Sequence, residues 1–282
     1  MHSPVCILTD STAQFPSAAF PGQELVNIIP LHIHYKGKFH YGGRGLKIQD
    51  LPMSRMEDEH PKLIAPSAEE FRKVLTSLEQ QYHQMVLLLL SKHLNPAITF
   101  AKEAIESLKG RASVLLIDSE TCGVGLGLLV QAAAGAAKKG ASLAEINLLV
   151  RGLISRVYML LCLHDLIYLS QGGHLDPAQA MVGEMLSIAP LYLLEYGKLF
   201  PMQKVRSQHH LLDMLQEFIG EFTAIQHIAL VRGIVPFEQE ARTLRERVSR
   251  DFPRVSFSEH LLNSEMASIF GPRCLGLVVL EG

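Results

Sequence analysis

Hydroxyl and carboxylate side chains follow the first apolar run of the chain. The run Val5–Leu8 leads directly into Thr9, Asp10, Ser11 and Thr12. Such side chains bond readily to nearby backbone amides, so they favour turns and helix N-termini. They can also bind a ligand, because the crevice of an open α/β sheet lies at the carboxyl ends of its strands. Asp10 and Ser11 are therefore candidate ligand-binding residues, and the alternative is that they only brace a turn.

Polar side chains also follow two further apolar runs. Met85–Leu90 is wholly apolar, which is typical of a parallel strand buried on both faces, and it ends at Ser91. Val114–Ile117 has the same character and ends at Asp118 and Ser119. Strands that alternate with helices form a parallel sheet with right-handed crossovers. We therefore expect the polar ends of all three strands to meet at one edge of the sheet.

The segments between these strands predict helices. Ser67 with Glu70, and Ser142 with Glu145, have the spacing of a capping box, which marks a helix start. An Ala-rich helix is predicted over Gly123–Lys139. Its first five residues alternate glycine with apolar residues, which is the wrong spacing for a dinucleotide-binding loop. That pattern favours close packing of the helix on the sheet.

Two histidines lie close together in a predicted strand over Val26–Tyr35. His32 and His34 are two residues apart, and the alternation around them predicts a strand with one solvated face. No third metal ligand follows at a suitable spacing, which favours solvent-facing histidines over a metal site. A short, charged surface helix is predicted over Met53–His60.

The composition excludes several classes of protein. A length of 282 residues suits two domains, and 48% apolar with 19% charged residues is typical of a folded protein with a full core. A net charge of −2 argues against binding to nucleic acid. No phosphate-binding lysine loop is present, so no cofactor is expected. The apolar runs are far below the ~20 residues that cross a membrane. We expect no signal peptide before the first strand. The four cysteines lie far apart, which predicts free thiols in a cytoplasmic protein.

The character of the chain changes near residue 158. From there a second set of strands and helices is predicted, so we expect an N-terminal α/β domain over residues 1–158 and a C-terminal α/β domain over 159–282. A helix predicted over Ala178–Leu186 carries Met181, Met185 and Leu186 on one side. These side chains could line an apolar tunnel, but their spacing favours a place in the core.

Eight short motifs, in order over nearly the whole chain, carry a family resemblance. They are Ile7–Ala13, Pro30-Leu31, Ser91-x-x-Leu94, Ile117-Asp118-Ser119, Leu169-x-x-Gly172-Gly173, Pro190-Leu191 with Gly197, Lys204-x-Arg206 and Gly271-Pro272. Together they resemble the DegV family, whose best-understood members are fatty-acid-binding subunits that partner a fatty acid kinase. Lys204 and Arg206 are expected at the surface, as framework or partner-contact residues.

The resemblance implies a two-domain α/β fold with a ligand cleft between the domains. In such a protein a long-chain fatty acid or related lipid lies with its carboxylate at the cleft and its tail in an apolar tunnel. The protein is not an enzyme; it presents the carboxylate to a separate kinase subunit, and peripheral contact with a membrane fits this role. The alternative is a divergent member that binds a different small amphiphile or serves as a non-catalytic interaction protein.

The chain departs from the family pattern at the positions expected to hold the carboxylate. Leu63 and Ile64 stand where fatty-acid-binding members usually carry Thr-Ser, His174 replaces the arginine of Gly-Gly-Arg, and Ile269 replaces a histidine. A hydrogen bond to a charged group is worth roughly 1.5–3 kcal/mol, so losing even two would weaken carboxylate binding about a hundredfold. Either other donors compensate, or the head group is not a simple carboxylate.

Compensating donors can be sought among the polar residues nearest these motifs. Asn95, His174 and Arg273 join Asp10, Ser11 and Ser91 in the predicted ligand-binding set, and Lys92 and His93 are further candidates. A surface-loop histidine and a solvated turn arginine are the alternatives for His174 and Arg273. A weaker hypothesis is an enzyme that uses Asp10, Asp118 and His174, although nothing in their spacing supports it.

Overall fold

The first domain is built on four parallel strands, as the buried runs predict. The fold was analysed in a computed structural model that describes residues 4–53, 59–108, 110, 112–186, 188–234 and 237–282. The strand order is β2-β1-β6-β7, and every pairing in this sheet is parallel. The helices and strands of this half are β1 (Val5–Asp10), β2 (Val26–Ile29), β3 (His32–Tyr35), β4 (Lys38–Tyr41), β5 (Lys62–Ile64), α1 (Ala68–Glu79), β6 (Gln84–Leu89), α2 (Ala97–Ser107), β7 (Ser113–Asp118), α3 (Gly123–Lys138) and α4 (Leu143–Ile154).

The prediction of a single strand over Val26–Tyr35 is wrong, because this segment forms two strands, β2 and β3. Pro30 has no amide hydrogen to donate to a ladder, and the chain leaves the parallel sheet there. β3 instead forms a small antiparallel sheet of order β4-β3-β5. The solvated face predicted for His32 is also wrong, because its side chain is buried and its Nε2 lies 2.8 Å from Glu70 Oε1. Residues 54–58, which hold most of the helix predicted over Met53–His60, lie outside the described residues.

The second domain is built on a six-stranded mixed sheet of order β10-β9-β8-β13-β11-β12. Only β11 and β12 pair in parallel; the other pairings are antiparallel. This confirms the predicted two-domain α/β class. The elements are β8 (Val157–Leu163), α5 (Leu166–Gln171), α6 (Pro177–Met185), β9 (Ala189–Glu195), β10 (Lys198–Val205), α7 (Gln208–Gly220), β11 (Ile225–Arg232), α8 (Glu238–Asp251), β12 (Ser256–Leu261), α9 (Ser264–Phe270) and β13 (Cys274–Glu281).

The larger apolar core is continuous across the two domains. It includes residues of β1 and β6 together with Met159, Leu161 and Val278 of the second sheet. Helix α3 lies at this junction and contacts β1, β8 and β13. A Cβ atom added to Gly127 would lie 2.0 Å from the carbonyl oxygen of Gln14. The glycines of α3 therefore let this helix pack closely against β1 and the backbone that follows it, as their spacing predicts.

The boundary between the domains stays a proposal near residue 158. Strand β8 begins at Val157 and pairs with β13 and β9. Helix α9 lies late in the chain but contacts β3 and β5 of the first half. The C-terminal segment therefore folds back over the crevice side of the N-terminal domain.

Candidate functional site

The three polar strand ends lie together, as predicted, because β1, β6 and β7 are parallel neighbours. Asp10 is fully buried at the end of β1 and accepts hydrogen bonds from the amides of Leu90 (2.7 Å) and Thr12 (2.9 Å) and from the Thr12 hydroxyl. Burial raises the pKa of Asp10, these hydrogen bonds oppose the rise, and the nearby Glu265 carboxylate adds to it. The carboxylate braces the turn and links two strands.

The two predicted serines also bond to backbone. Ser11 Oγ accepts from the Leu31 amide (2.9 Å). Ser91 is buried, and its Oγ accepts from the His93 amide (3.1 Å) and donates to the carbonyl oxygen of Gly197 (2.7 Å). Since Gly197 lies in the turn between β9 and β10, Ser91 connects the strand-end crevice to the second domain.

Asn95 and His174 make similar connections. The Asn95 side chain donates to the Leu63 carbonyl (3.3 Å) and accepts from the Ala97 amide (3.1 Å) at the start of α2. The pKa of His174 is lowered by burial, and a hydrogen bond to Leu94 backbone partly offsets this. His174 therefore lies against the Ser91–Leu94 turn and is not a solvated loop histidine.

Arg273 lies at a different place in the fold. Its guanidinium forms an ion pair with Asp165, in which Nε donates to Oδ1 at 2.8 Å, and its amide donates to Oδ2 of the same carboxylate at 3.0 Å. Burial raises the pKa of Asp165 despite this pairing, and the bond to Asp165 raises that of Arg273. The guanidinium is thus already neutralised where the second domain turns into β13.

The residues of the enzyme hypothesis make no mutual contact among the described residues. Asp10 bonds to Thr12 and Leu90, whereas Asp118 accepts from the Glu120 amide (3.0 Å) and lies 3.5 Å from Lys92 Nζ. His174 contacts Leu94 instead. The arrangement contains no nucleophile–base pair drawn from these residues.

Two features of the crevice were not nominated from the sequence. Thr9 Oγ1 is buried and has no hydrogen-bond partner among the described residues. Glu265 is buried in α9 and contributes a second negative charge close to Asp10. The only sequence signal for Glu265 is its place in the first turn of a helix capped by Asn263, where acidic residues are common.

An apolar cavity of about 530 Å³ lies between α5, α6 and the β9–β10 hairpin. Leu166 and Leu175 line it, and they follow Asp165 and His174 in the chain. One end of the cavity is therefore near the crevice residues, and the volume is within the roughly 300–1,000 Å³ typical of small-molecule sites. The remaining lining residues are Ala178, Gln179, Val182, Gly183, Ile188, Tyr192 and Pro201.

The outer face of α6 is apolar and exposed. The exposed fractions are 65% for Met181, 69% for Met185 and 65% for Leu186. The prediction that these side chains form core is wrong, and they do not line the cavity either. Val182 lines the cavity and is itself 53% exposed, so the cavity is open to solvent along this side of α6. No helix among the described residues has the length and apolar character needed to cross a membrane.

Residues 4–282 match the model of a family described as "Uncharacterised protein, DegV family". The chain belongs to the DegV family. It is 27% identical to a DegV domain-containing protein of Caldanaerobacter subterraneus over 84% of this chain and 83% of that one. The match covers the whole described fold, so the resemblance carried by the short motifs is confirmed.

Solved structures of DegV proteins share this fold. One from Thermus thermophilus, described for its fatty acid binding, has a TM-score of 0.86 at 21% identity and covers 99% of this chain and all of that one. The Streptococcus pneumoniae fatty acid kinase (Fak) B3 protein, loaded with linoleic acid, has a TM-score of 0.84 at 18% identity, with 99% and 100% coverage. At these identities the similarity establishes the two-domain fold of this DegV chain.

Proposed function

We propose that this DegV chain binds a long-chain fatty acid or related lipid and holds its acyl chain in the cavity beneath α6. The observation that carries the proposal is that cavity: about 530 Å³, lined almost wholly by apolar side chains, and next in sequence to His174 and Asp165. Of the DegV proteins with the same fold, the one from Thermus thermophilus is described for its fatty acid binding and the Fak B3 protein is loaded with linoleic acid. An apolar tail gains about 0.8 kcal/mol for each methylene that it buries.

The head group then lies at the strand-end crevice between the domains. The predicted ligand-binding set stays part of the proposal, although none of its members lines the cavity itself: Asp10, Ser11, Ser91, Asn95, His174 and Arg273. The Ser11 hydroxyl accepts from the Leu31 amide and keeps its own hydrogen for a head group, whereas the Ser91 hydroxyl already donates to Gly197. Asp10 holds the backbone that forms the crevice.

We further propose that the chain is a non-catalytic carrier in the cytoplasm. A separate kinase subunit would then act on the bound carboxylate; the similarity in fold to the fatty acid kinase (Fak) B3 protein supports this partner. The four cysteines are buried free thiols, which supports a reducing compartment.

The exposed face of α6 supports peripheral contact with a lipid surface. Met181, Met185 and Leu186 lie on the outer side of the same helix whose inner side lines the cavity. A bilayer surface in contact with this face would lie one helix away from the acyl site. The occupant of this face is therefore proposed to be the membrane from which the lipid enters.

A second candidate is an amphiphile with an uncharged head group. Two buried carboxylates, Asp10 and Glu265, lie near the expected head position, and Arg273 is already paired with Asp165. Leu63 is partly buried against the core, and Ile269 is enclosed in the core, so neither side chain supplies a donor for an anion. Burying an anion here without new donors is unfavourable.

Native mass spectrometry of the protein purified from cells tests both candidates. We expect bound acyl lipids that are lost on delipidation and regained from added fatty acid. A protein that rebinds a long-chain alcohol but no fatty acid supports the second candidate. A protein that is empty when purified and binds neither contradicts the proposal.

A pair of variants tests the position of the tail. Ile188→Trp adds volume inside the cavity and should reduce retained lipid strongly. Leu148→Trp is the matched control, because Leu148 is 77% exposed on α4, far from the cavity lining. Equal lipid content in the two variants would contradict this location.

A further inference from the structure

A second cavity, of about 510 Å³, lies outside the acyl site at the free edge of β7. Its walls come from the turn after β6, the start of α2, the end of β7, the last turn of α4, the start of β8 and the β9–β10 turn, so both domains contribute. It shares no lining residue with the cavity beneath α6. The lining residues are Lys92, Ile98, Leu116, Asp118, Glu120, Arg151, Ile154, Ser155, Val157, Tyr158, Glu195 and Tyr196.

Negative charge predominates in this cavity. Three carboxylates face two cationic side chains, and the carboxylate of Asp118 already has Lys92 as its partner at 3.5 Å. Glu120 and Glu195 have no hydrogen-bond or ion-pair partner for their carboxylates within the described chain. Burial raises the pKa of Tyr158, and the nearby Glu281 and Glu195 add to the rise. With Asp118 and Lys92 paired, the carboxylates of Glu120 and Glu195 face the single guanidinium of Arg151, whose Nε donates to Asn147 Oδ1 at 2.9 Å. The charge that remains is net negative, which favours a cationic ligand.

The backbone that presents Tyr196 is unfavourable for a tyrosine. Glu195 pairs with Lys198, so Tyr196 and Gly197 form a two-residue hairpin loop with φ of 49° and 77°. Such loops favour Asn, Asp or Gly at the first position, because other side chains are strained at positive φ. Packing does not compensate for this strain, since Tyr196 is 71% exposed.

Glu120 shares this strain and lies against the same loop. Its φ is 52°, and a Cβ atom added to Gly197 would lie 3.3 Å from Glu120 Cα. Glu120 and Tyr196 thus occupy backbone positions at which Gly, Asn or Asp would be less strained. Strain of this kind concentrates where side chains contact ligands.

We propose that this cavity binds a small organic ammonium ion. The carboxylates of Glu120 and Glu195 would receive the positive charge, and the rings of Tyr158 and Tyr196 would face it, as aromatic rings do in sites for quaternary ammonium groups. Ile98 and the other aliphatic residues of the wall would contact the alkyl part of the ion. The site is independent of the acyl cavity, so lipid-free protein should bind equally well.

Titration calorimetry with choline and with putrescine tests the proposal. Tyr196→Asn suits the hairpin better than tyrosine, so this variant should fold at least as stably and bind choline about tenfold more weakly. Glu195→Gln should weaken the binding of both amines. Lys36→Asn is the matched control, because Lys36 and Gly37 form another left-handed hairpin loop, with φ of 51° and 67°, outside the cavity.

Each outcome of the titrations either supports or overturns the proposed ammonium site. Weaker binding in Tyr196→Asn and Glu195→Gln, with unchanged binding in Lys36→Asn, supports the site. Absence of binding to wild-type protein at concentrations up to about 10 mM overturns it. Binding that is the same in all three variants, or that weakens equally in Lys36→Asn, also overturns it.

Discussion

The strand-end crevice and the cavity beneath α6 are connected through His174 but differ in what their side chains are free to do. In the crevice nearly every polar group bonds to backbone: Asp10 to two amides, Asn95 to a carbonyl and an amide. Around the cavity, apolar side chains such as Val182 remain exposed. The conspicuous polar motif therefore maintains the fold, and the apolar surface that the proposed lipid site requires lies at helix α6.

The largest effect on stability is expected when the hydrogen bonds that Asp10 accepts in the crevice are removed. Asp10→Ala leaves the buried amides of Leu90 and Thr12 without an acceptor and should lower the free energy of unfolding by about 3–5 kcal/mol. Urea denaturation measures the change. Asp176 is a matched control, because it accepts two amide bonds at the exposed start of α6. Asp176→Ala should cost only about 1 kcal/mol. Equal losses of unfolding free energy in the two variants would contradict the prediction that burial makes the hydrogen bonds of Asp10 more stabilising than those of Asp176.

A pH effect of similar size is expected at the far edge of the second sheet. His227 is buried between Ser256 and Ser258, and burial together with His260 lowers its pKa to about 4. Below pH 6.5 the unfolded chain takes up a proton that the folded chain does not, so stability is full above pH 6.5 and falls towards pH 4. The loss from this group is about 3 kcal/mol.

Denaturation across this pH range checks the effect of His227. His227→Gln should remove part of the slope between pH 6.5 and 4, whereas His209→Gln should not, because His209 is exposed on α7. An unchanged slope in His227→Gln contradicts the prediction. Because His227 lies outside both regions compared above, lipid content per folded molecule should not follow this titration.

A smaller effect is expected at the ion pair where β13 begins. Arg273→Met leaves the buried Asp165 carboxylate unpaired and should cost about 2 kcal/mol, less than for a wholly buried pair because the guanidinium is one-third exposed. Arg245→Met is the control, since Arg245 is about half exposed and Glu259 retains Arg232. That change should cost under about 1 kcal/mol. If Arg273 also contacts the lipid head group, fatty acid affinity should fall in parallel with stability.

The smallest effect on stability is expected on the outer face of α6. Changing Met181 and Met185 together to Ser should alter the free energy of unfolding by less than about 0.5 kcal/mol, because both side chains are exposed. The same variant should take up lipid from phosphatidylcholine vesicles more slowly. Leu148→Ser on α4 is the exposed control and should exchange lipid at the wild-type rate. Equal rates in both variants would argue against membrane contact through α6.

Local patterns predicted most of the secondary structure but not the partners of the polar residues. The capping boxes at Ser67 and Ser142 and the buried strands lie where expected, because these signals act within a few residues. Ser91 was correctly placed at the strand end. Its acceptor, the Gly197 carbonyl, lies more than a hundred residues further along, and no local pattern identifies it.

The sequence-based predictions that are wrong also have physical causes. Alternation around His32 predicted a solvated face, but Glu70 of α1 covers that histidine. Strand β10 was missed because it is an exposed edge strand whose side chains carry little apolar periodicity. The spacing of Met181 and Met185 correctly predicted an apolar face on a helix. It could not reveal that no other part of the described chain packs against that face.

Four of the side-chain bonds that join the two domains share one property with a consequence for divergence. Ser91, Gln14, Tyr168 and Asn263 each donate to a backbone carbonyl, of Gly197, Leu261, Pro52 and Ser11 respectively. A carbonyl is present whatever residue carries it, so mutation at the accepting position leaves the bond intact. Only the donors are constrained in identity. The sequences of two domains joined by such bonds can therefore diverge widely while the fold is retained.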